Sequence, residues 1–132
     1  MALRIELKPH ERIIIGKVAL TNGPARTTFV VDGRAPILRC KDVITPEQAD
    51  TVCKRLYLVI ERVYLEELAF EEAAGSFRDI AAEILGAAPS TKRFLEAITE
   101  RFVAGNCYGA LKICRKLIAY EASIIAHAQK AA

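Results

Sequence analysis

The chain has 132 residues, 52% of them apolar and 27% charged. That suits one compact unit or two small subdomains; it is too apolar for a disordered chain and too short for a second enzyme-sized domain. The net charge of +3 is unevenly spread. Residues 1–45 hold eight basic residues (Arg4, Lys8, Arg12, Lys17, Arg26, Arg34, Arg39, Lys41) against four acidic ones (Glu6, Glu11, Asp32, Asp42), whereas the rest carries a net charge of −1. A short segment with such an excess is a candidate footprint for a polyanion.

In the opening segment Leu3, Ile5 and Leu7 alternate with Arg4, Glu6 and Lys8, the period of a half-buried strand. Pro9 breaks the run. Residues 12–16, 18–20 and 26–31 are further β-branched stretches, separated by turn signals at Asn22-Gly23-Pro24 and Asp32-Gly33. Asp32-Gly33 suits a type I′ hairpin, which predicts that residues 35–39 return as a fifth strand beside the fourth.

At Thr45 the pattern changes to a helical one. Thr45-Pro46-Glu47-Gln48 reads as a capping-box start, and the apolar positions that follow predict one long helix to about residue 74. Its apolar surface is wider than a single stripe, so it needs cover on two sides. Gly75-Ser76 predicts a break and a shorter helix to about residue 85. A third helix carries Phe94, Leu95, Ile98 and Phe102, and Gly105-Asn106 separates it from a last helix with Leu111, Cys114, Ile118 and Ile125 on one face. The fold class is α+β: a small antiparallel β-sheet in a basic subdomain, residues 1–44, then a helical bundle of about four helices, residues 45–132, packed with it as one structural unit.

Chemistry-bearing motifs are absent. There is no nucleophile elbow, phosphate-binding lysine loop, dinucleotide glycine fingerprint or His-Glu-x-x-His, so neither an enzyme nor a cofactor is expected. The four cysteines, Cys40, Cys53, Cys107 and Cys114, lack C-x-x-C spacing, and only His10 and His127 could join them, which argues against a metal site. Cys107 and Cys114 on one helix would lie about 10 Å apart, beyond the roughly 7 Å that a disulfide spans. All four are read as buried, reduced thiols. Glu66-Glu67 and Glu71-Glu72 are read as a solvated acidic face. No apolar run approaches the roughly 20 residues that cross a bilayer, and no leader pattern opens the chain, so no membrane partner and a cytoplasmic location are expected.

Several segments carry a family likeness. The opening from Leu3 to Gly16, the stretch from Arg26 to Arg39, Lys54-Arg-Leu-Tyr-Leu-Val59 and Gly105-Asn-Cys-Tyr-Gly-Ala-Leu-Lys112 resemble the FlbT family of flagellum biosynthesis regulators, in order, from about residue 2 to about residue 120. The resemblance implies post-transcriptional control exerted on the untranslated leader of flagellin messenger RNA, with flagellin or a FlaF-like protein as candidate protein partners. A weaker resemblance joins His10 to Gly16, and Ala35-Pro36, to the small dimeric RNA-binding regulators of the CsrA type.

Phe29 is the only aromatic residue before Tyr57, so an aromatic platform for stacking bases is missing and RNA would be held through phosphates. The candidate RNA-binding residues are Arg4 and Lys8 on the first strand with Arg34, Arg39 and Lys41 around the fifth; if those strands adjoin, the five form one stripe. Joint replacement of Arg39 and Lys41 by alanine is then expected to weaken RNA binding and leave stability nearly unchanged. The alternative is that the helical half is a protein-interaction module and any effect on messenger RNA is indirect. A homodimer is expected from the two-sided apolar helix and the short strands.

Overall fold

The computed structural model describes residues 2–131. They form two compact units, Met1–Ile44 and Thr45–Ala132.

The first unit holds five strands: β1 (Ala2–Leu7), β2 (Arg12–Ile15), β3 (Val18–Thr21), β4 (Thr27–Asp32) and β5 (Ile37–Arg39), followed by a 3-10 turn, Cys40–Asp42. They make two antiparallel sheets. One is β1 against β4, with Leu3, Ile5 and Leu7 opposite Val31, Phe29 and Thr27; the other has the order β3-β2-β5. Ile5, Leu7 and Ile13 are buried, with Ile15, Phe29, Val31 and Ile37 packed against them, so the inner faces of the two sheets share one core. Burial of each of the three fully covered side chains contributes about 1.5–3 kcal/mol, and of the partly covered ones less. Phe29 belongs to this core.

The expected pairing of β4 with β5 does not occur. A type I′ turn needs positive φ at both central residues; here Gly33 has φ 106 but Asp32 is not in that region. The chain leaves β4 and crosses to the other sheet, where β5 pairs with β2. The tight hairpin is instead β2–β3, in which Gly16 (φ 62) and Lys17 separate the paired residues Ile15 and Val18. Positive φ at the first central residue only fits a type II′ turn.

Between β1 and β2, Pro9 and His10 (φ 62) form a turn closed by the Glu11 N–H donating to Lys8 O at 3.1 Å. Pro at the second position and positive φ at the third describe type II. The Asn22 amide braces it, Nδ2 donating to Lys8 O at 2.7 Å and to Ala25 O at 3.0 Å.

The second unit has α1 (Val52–Tyr64), α2 (Phe70–Ala87), a 3-10 turn (Pro89–Thr91), α3 (Lys92–Val103) and α4 (Cys107–Ala131). Two boundaries differ from expectation. The capping box at 45–48 is present, with Thr45 N donating to Gln48 Oε1 at 2.9 Å and Gln48 N to Thr45 Oγ1 at 3.3 Å. It closes only a turn, and the helix starts after Thr51, whose hydroxyl accepts from Lys54 N. The long helix also divides at Leu65–Ala69, and Gly75-Ser76 lies inside α2. The division is a Schellman motif in which Glu66 N donates to Val63 O and Glu67 N to Arg62 O, with Glu66 at φ 62 where glycine is usual.

The two apolar sides of α1 are taken up by α2 and α4. Leu56, Ile60, Ala73, Ile98, Leu111, Cys114 and Leu117 are buried, and the Phe77 and Phe102 rings stack with centroids 4.4 Å apart. Glu121 of α4 ties α1 down from its N-terminus, accepting from Thr51 Oγ1 at 2.5 Å and from Cys53 N at 3.2 Å. A carboxylate there satisfies a main-chain N–H without an intrahelical acceptor and faces the positive end of the helix dipole.

Candidate nucleic-acid interface

The basic residues of the first unit fall into separate groups. Arg4 is exposed on the outer face of β1, opposite Val30, with Glu6 and Asp32 on the same face. Glu6 is paired with Arg26 from the segment before β4. Arg34 is exposed in the connection from β4 to β5.

Of the other three candidates, Lys8 through its main chain and Arg39 through its side chain bond to one carboxylate, and Lys41 bears on it only through its charge. Glu11 Oε1 accepts the Lys8 main-chain N–H at 3.0 Å, and Oε2 accepts from Arg39 Nη1 at 2.7 Å. Its acidity is raised first by the Lys8 N–H, then by the Arg39 hydrogen bond, with the charges of Arg39 and Lys41 adding to the effect. Arg39 Nη2 also donates to Glu6 O at 3.2 Å.

β1 and β5 are therefore not neighbours in a sheet. Besides the shared core, the Arg39 side chain links them, reaching from the three-stranded sheet to the β1 main chain. Removing Arg39 takes away these two hydrogen bonds together with its charge, so the joint alanine replacement bears on the fold as well as on RNA binding. Lys8 and Lys41 are exposed. Sequence reasoning counted Glu11 only as one unit of charge; its place three residues after Lys8, across a Pro-containing turn, was the available signal.

Of the four cysteines, Cys53 and Cys114 are buried, while Cys40 and Cys107 are partly exposed. Burial, then the Glu121 hydrogen bond, pushes the Cys53 thiol up to about 12, and burial raises Cys114 as well. Both stay protonated and unreactive at neutral pH. Among the described residues no group of His, Cys, Asp and Glu is arranged to hold a metal ion, and no helix is long and apolar enough to cross a membrane.

The match to the family described as "Flagellar protein FlbT" runs over residues 3–125, taking in both the β unit and nearly all of the helical one. The chain belongs to the FlbT family. A relative from Rhodopseudomonas palustris (strain TIE-1), named "Probable flagellum biosynthesis repressor protein FlbT", is 42% identical over 95% of this chain and 98% of its own length. The "Probable flagellum biosynthesis repressor protein FlbT 1" of Bradyrhizobium diazoefficiens is 43% identical over 92% of this chain and 83% of its own. The "Flagellum biosynthesis repressor protein FlbT" of Caulobacter vibrioides (strain ATCC 19089 / CIP 103742 / CB 15) is 31% identical, covering 96% and 92%. These relatives are named as repressors, not as enzymes. No solved structure matches the chain.

In this FlbT chain the helical unit offers a different kind of surface. A groove of about 320 Å³ is lined by Tyr64, Phe70, Phe102 and Val103 among others, and Val103 is 67% exposed. Tyr108 lies beside Tyr64, with ring centroids 5.8 Å apart. Glu66, Glu67, Glu71 and Glu72 are all exposed, consistent with a solvated acidic face.

Proposed function

We propose that this protein is a cytoplasmic post-transcriptional regulator of flagellin synthesis whose basic β unit binds the untranslated leader of flagellin messenger RNA. Membership of a family whose relatives are named flagellum biosynthesis repressors carries the regulatory part of the reading. The excess of basic residues on the β unit, with Lys8, Lys41, Arg4 and Arg34 all exposed, supports a phosphate-holding surface. Phe29 is committed to the core, so affinity rests on charge rather than on base stacking. The reading calls for no cofactor.

The test is fluorescence anisotropy with a flagellin leader RNA and a scrambled control at two salt concentrations. Selective binding that weakens as salt rises is expected, and Lys8→Ala with Lys41→Ala should flatten the salt dependence by about 0.7 in log–log slope per lost phosphate contact. Arg4→Ala and Arg34→Ala report whether the contact extends beyond these two lysines. Arg39→Ala is to be read together with its stability.

A second reading is favoured by the apolar groove at Tyr64, Phe70 and Val103. It makes the helical unit a docking site for flagellin or a FlaF-like protein, with messenger RNA affected indirectly. Absence of binding to either RNA, with salt-insensitive binding to such a protein, would select it.

A further inference from the structure

β3 is the outer strand of the β3-β2-β5 sheet, and all four of its residues are exposed, Val18 at 58% and Leu20 at 41%. It contains no charged residue and no proline. The other open strands carry the features that discourage edge pairing: Arg4 and Glu6 on β1, Asp32 on β4, and on β5 a length of three residues ending in Arg39. An uncharged, apolar, open edge is a template for another strand.

The ladder fixes which groups that edge presents. Asn22 N donates to Glu11 O at 2.9 Å, and these residues face each other when the β2–β3 register is extended by one. Antiparallel pairs alternate between hydrogen-bonded and not. Leu20 and Val18 therefore direct their peptide groups to β2, and Ala19 and Thr21 direct theirs out of the sheet.

We propose that β3 pairs with β3 of a second copy of this chain, antiparallel, with Leu20 on the two-fold axis. In that register Ala19 of each copy faces Thr21 of the other, and both outward peptide groups are used, giving four main-chain hydrogen bonds. Leu20 faces its own symmetry mate in the closer, non-hydrogen-bonded pair, on the face that it shares with Ile13. Centring the axis on Val18 or Asn22 would leave part of the outward set unpaired. The pattern is complementary to its own two-fold image, so each copy meets a fitting edge at the protein's own concentration, and the contact closes. The product is a six-stranded sheet, β5-β2-β3-β3-β2-β5, at the common sheet size where three strands fall short of it. The proposal does not depend on RNA binding.

Light scattering across a micromolar concentration series tests it on three variants. Wild type should approach twice 14.5 kDa as concentration rises. Leu20→Lys sets like charges together on the axis, and Ala19→Pro removes an outward N–H that β2 does not use. Both should give monomers, with Ala19→Pro keeping the wild-type circular dichroism and a cooperative unfolding transition even if Leu20→Lys does not fold. Leu20→Cys should form a reducible covalent dimer on mild oxidation where wild type, with its own partly exposed thiols, does not. A wild type that stays monomeric throughout, a dimer that survives both Ala19→Pro and Leu20→Lys, or failure of Leu20→Cys to cross-link would overturn the proposal. A complex of β3 with a different protein, lost in Ala19→Pro while the chain itself stays monomeric, would overturn it in favour of strand addition by that partner.

Discussion

Glu11 is 19% exposed and receives one main-chain and one guanidinium hydrogen bond, so it favours the ionised form and its acidity rises above that of an ordinary glutamate at 4.5. A carboxylate with a lowered folded-state pKa contributes stability that is present above the unfolded value and is lost as pH falls through the folded one. Thermal unfolding followed from pH 7 downward should therefore show a loss beginning below about 4.5. Glu11→Gln should have a lower Tm at neutral pH and lack that component of the acid loss. If the two proteins share one acid profile, Glu11 is not the residue that holds Arg39 against the turn at Lys8. Charge counting located the basic segment. It could not show that Arg39 is held by Glu11 and Glu6 O, because those partners lie 28 and 33 residues away.

At the scale of elements, legibility followed how local the causes are. β1 to β4 were readable because period-two alternation and Gly, Pro and Asn turn signals act within a few residues, and the Gly105-Asn106 boundary was readable because both residues do what their types favour. Gly105 takes φ 83, and Asn106 Oδ1 accepts from Gly109 N at 2.9 Å. The strand partner of β5 was not readable, since Ile37 and Leu38 could extend either sheet and pairing is decided by tertiary packing. The break between α1 and α2 was hidden for a different reason: Glu66 occupies a left-handed position without the glycine that normally announces one. Left-handed geometry is unfavourable for a residue with a Cβ, so Glu66→Gly should stabilise the chain by about 0.5–1 kcal/mol after the added freedom of the unfolded chain is offset. Calorimetry should show a rise of a few degrees in Tm, and a fall would mean that the Glu66 side chain makes a compensating contact.

On the scale of the whole molecule, the division of labour follows composition. The first 44 residues concentrate positive charge on two small sheets, and the remainder concentrates apolar burial in four helices. The four-helix arrangement and its order were legible because each helix carries its own periodic stripe. The last stripe, however, outruns the bundle. Leu111, Cys114 and Leu117 are buried, but Ile124 and Ile125 are 37% and 42% exposed, and every described side chain from residue 122 to 130 is exposed.

That uncovered end of α4 has a kinetic consequence. Helical turns with little packing draw most of their stability from local propensity, and such turns open independently of the rest. In deuterated buffer the amides of residues 122–130 should exchange first within α4, by fraying. Those of residues 110–117 should wait for unfolding of the helical unit. Equal protection along the whole helix would mean that something covers its end in solution.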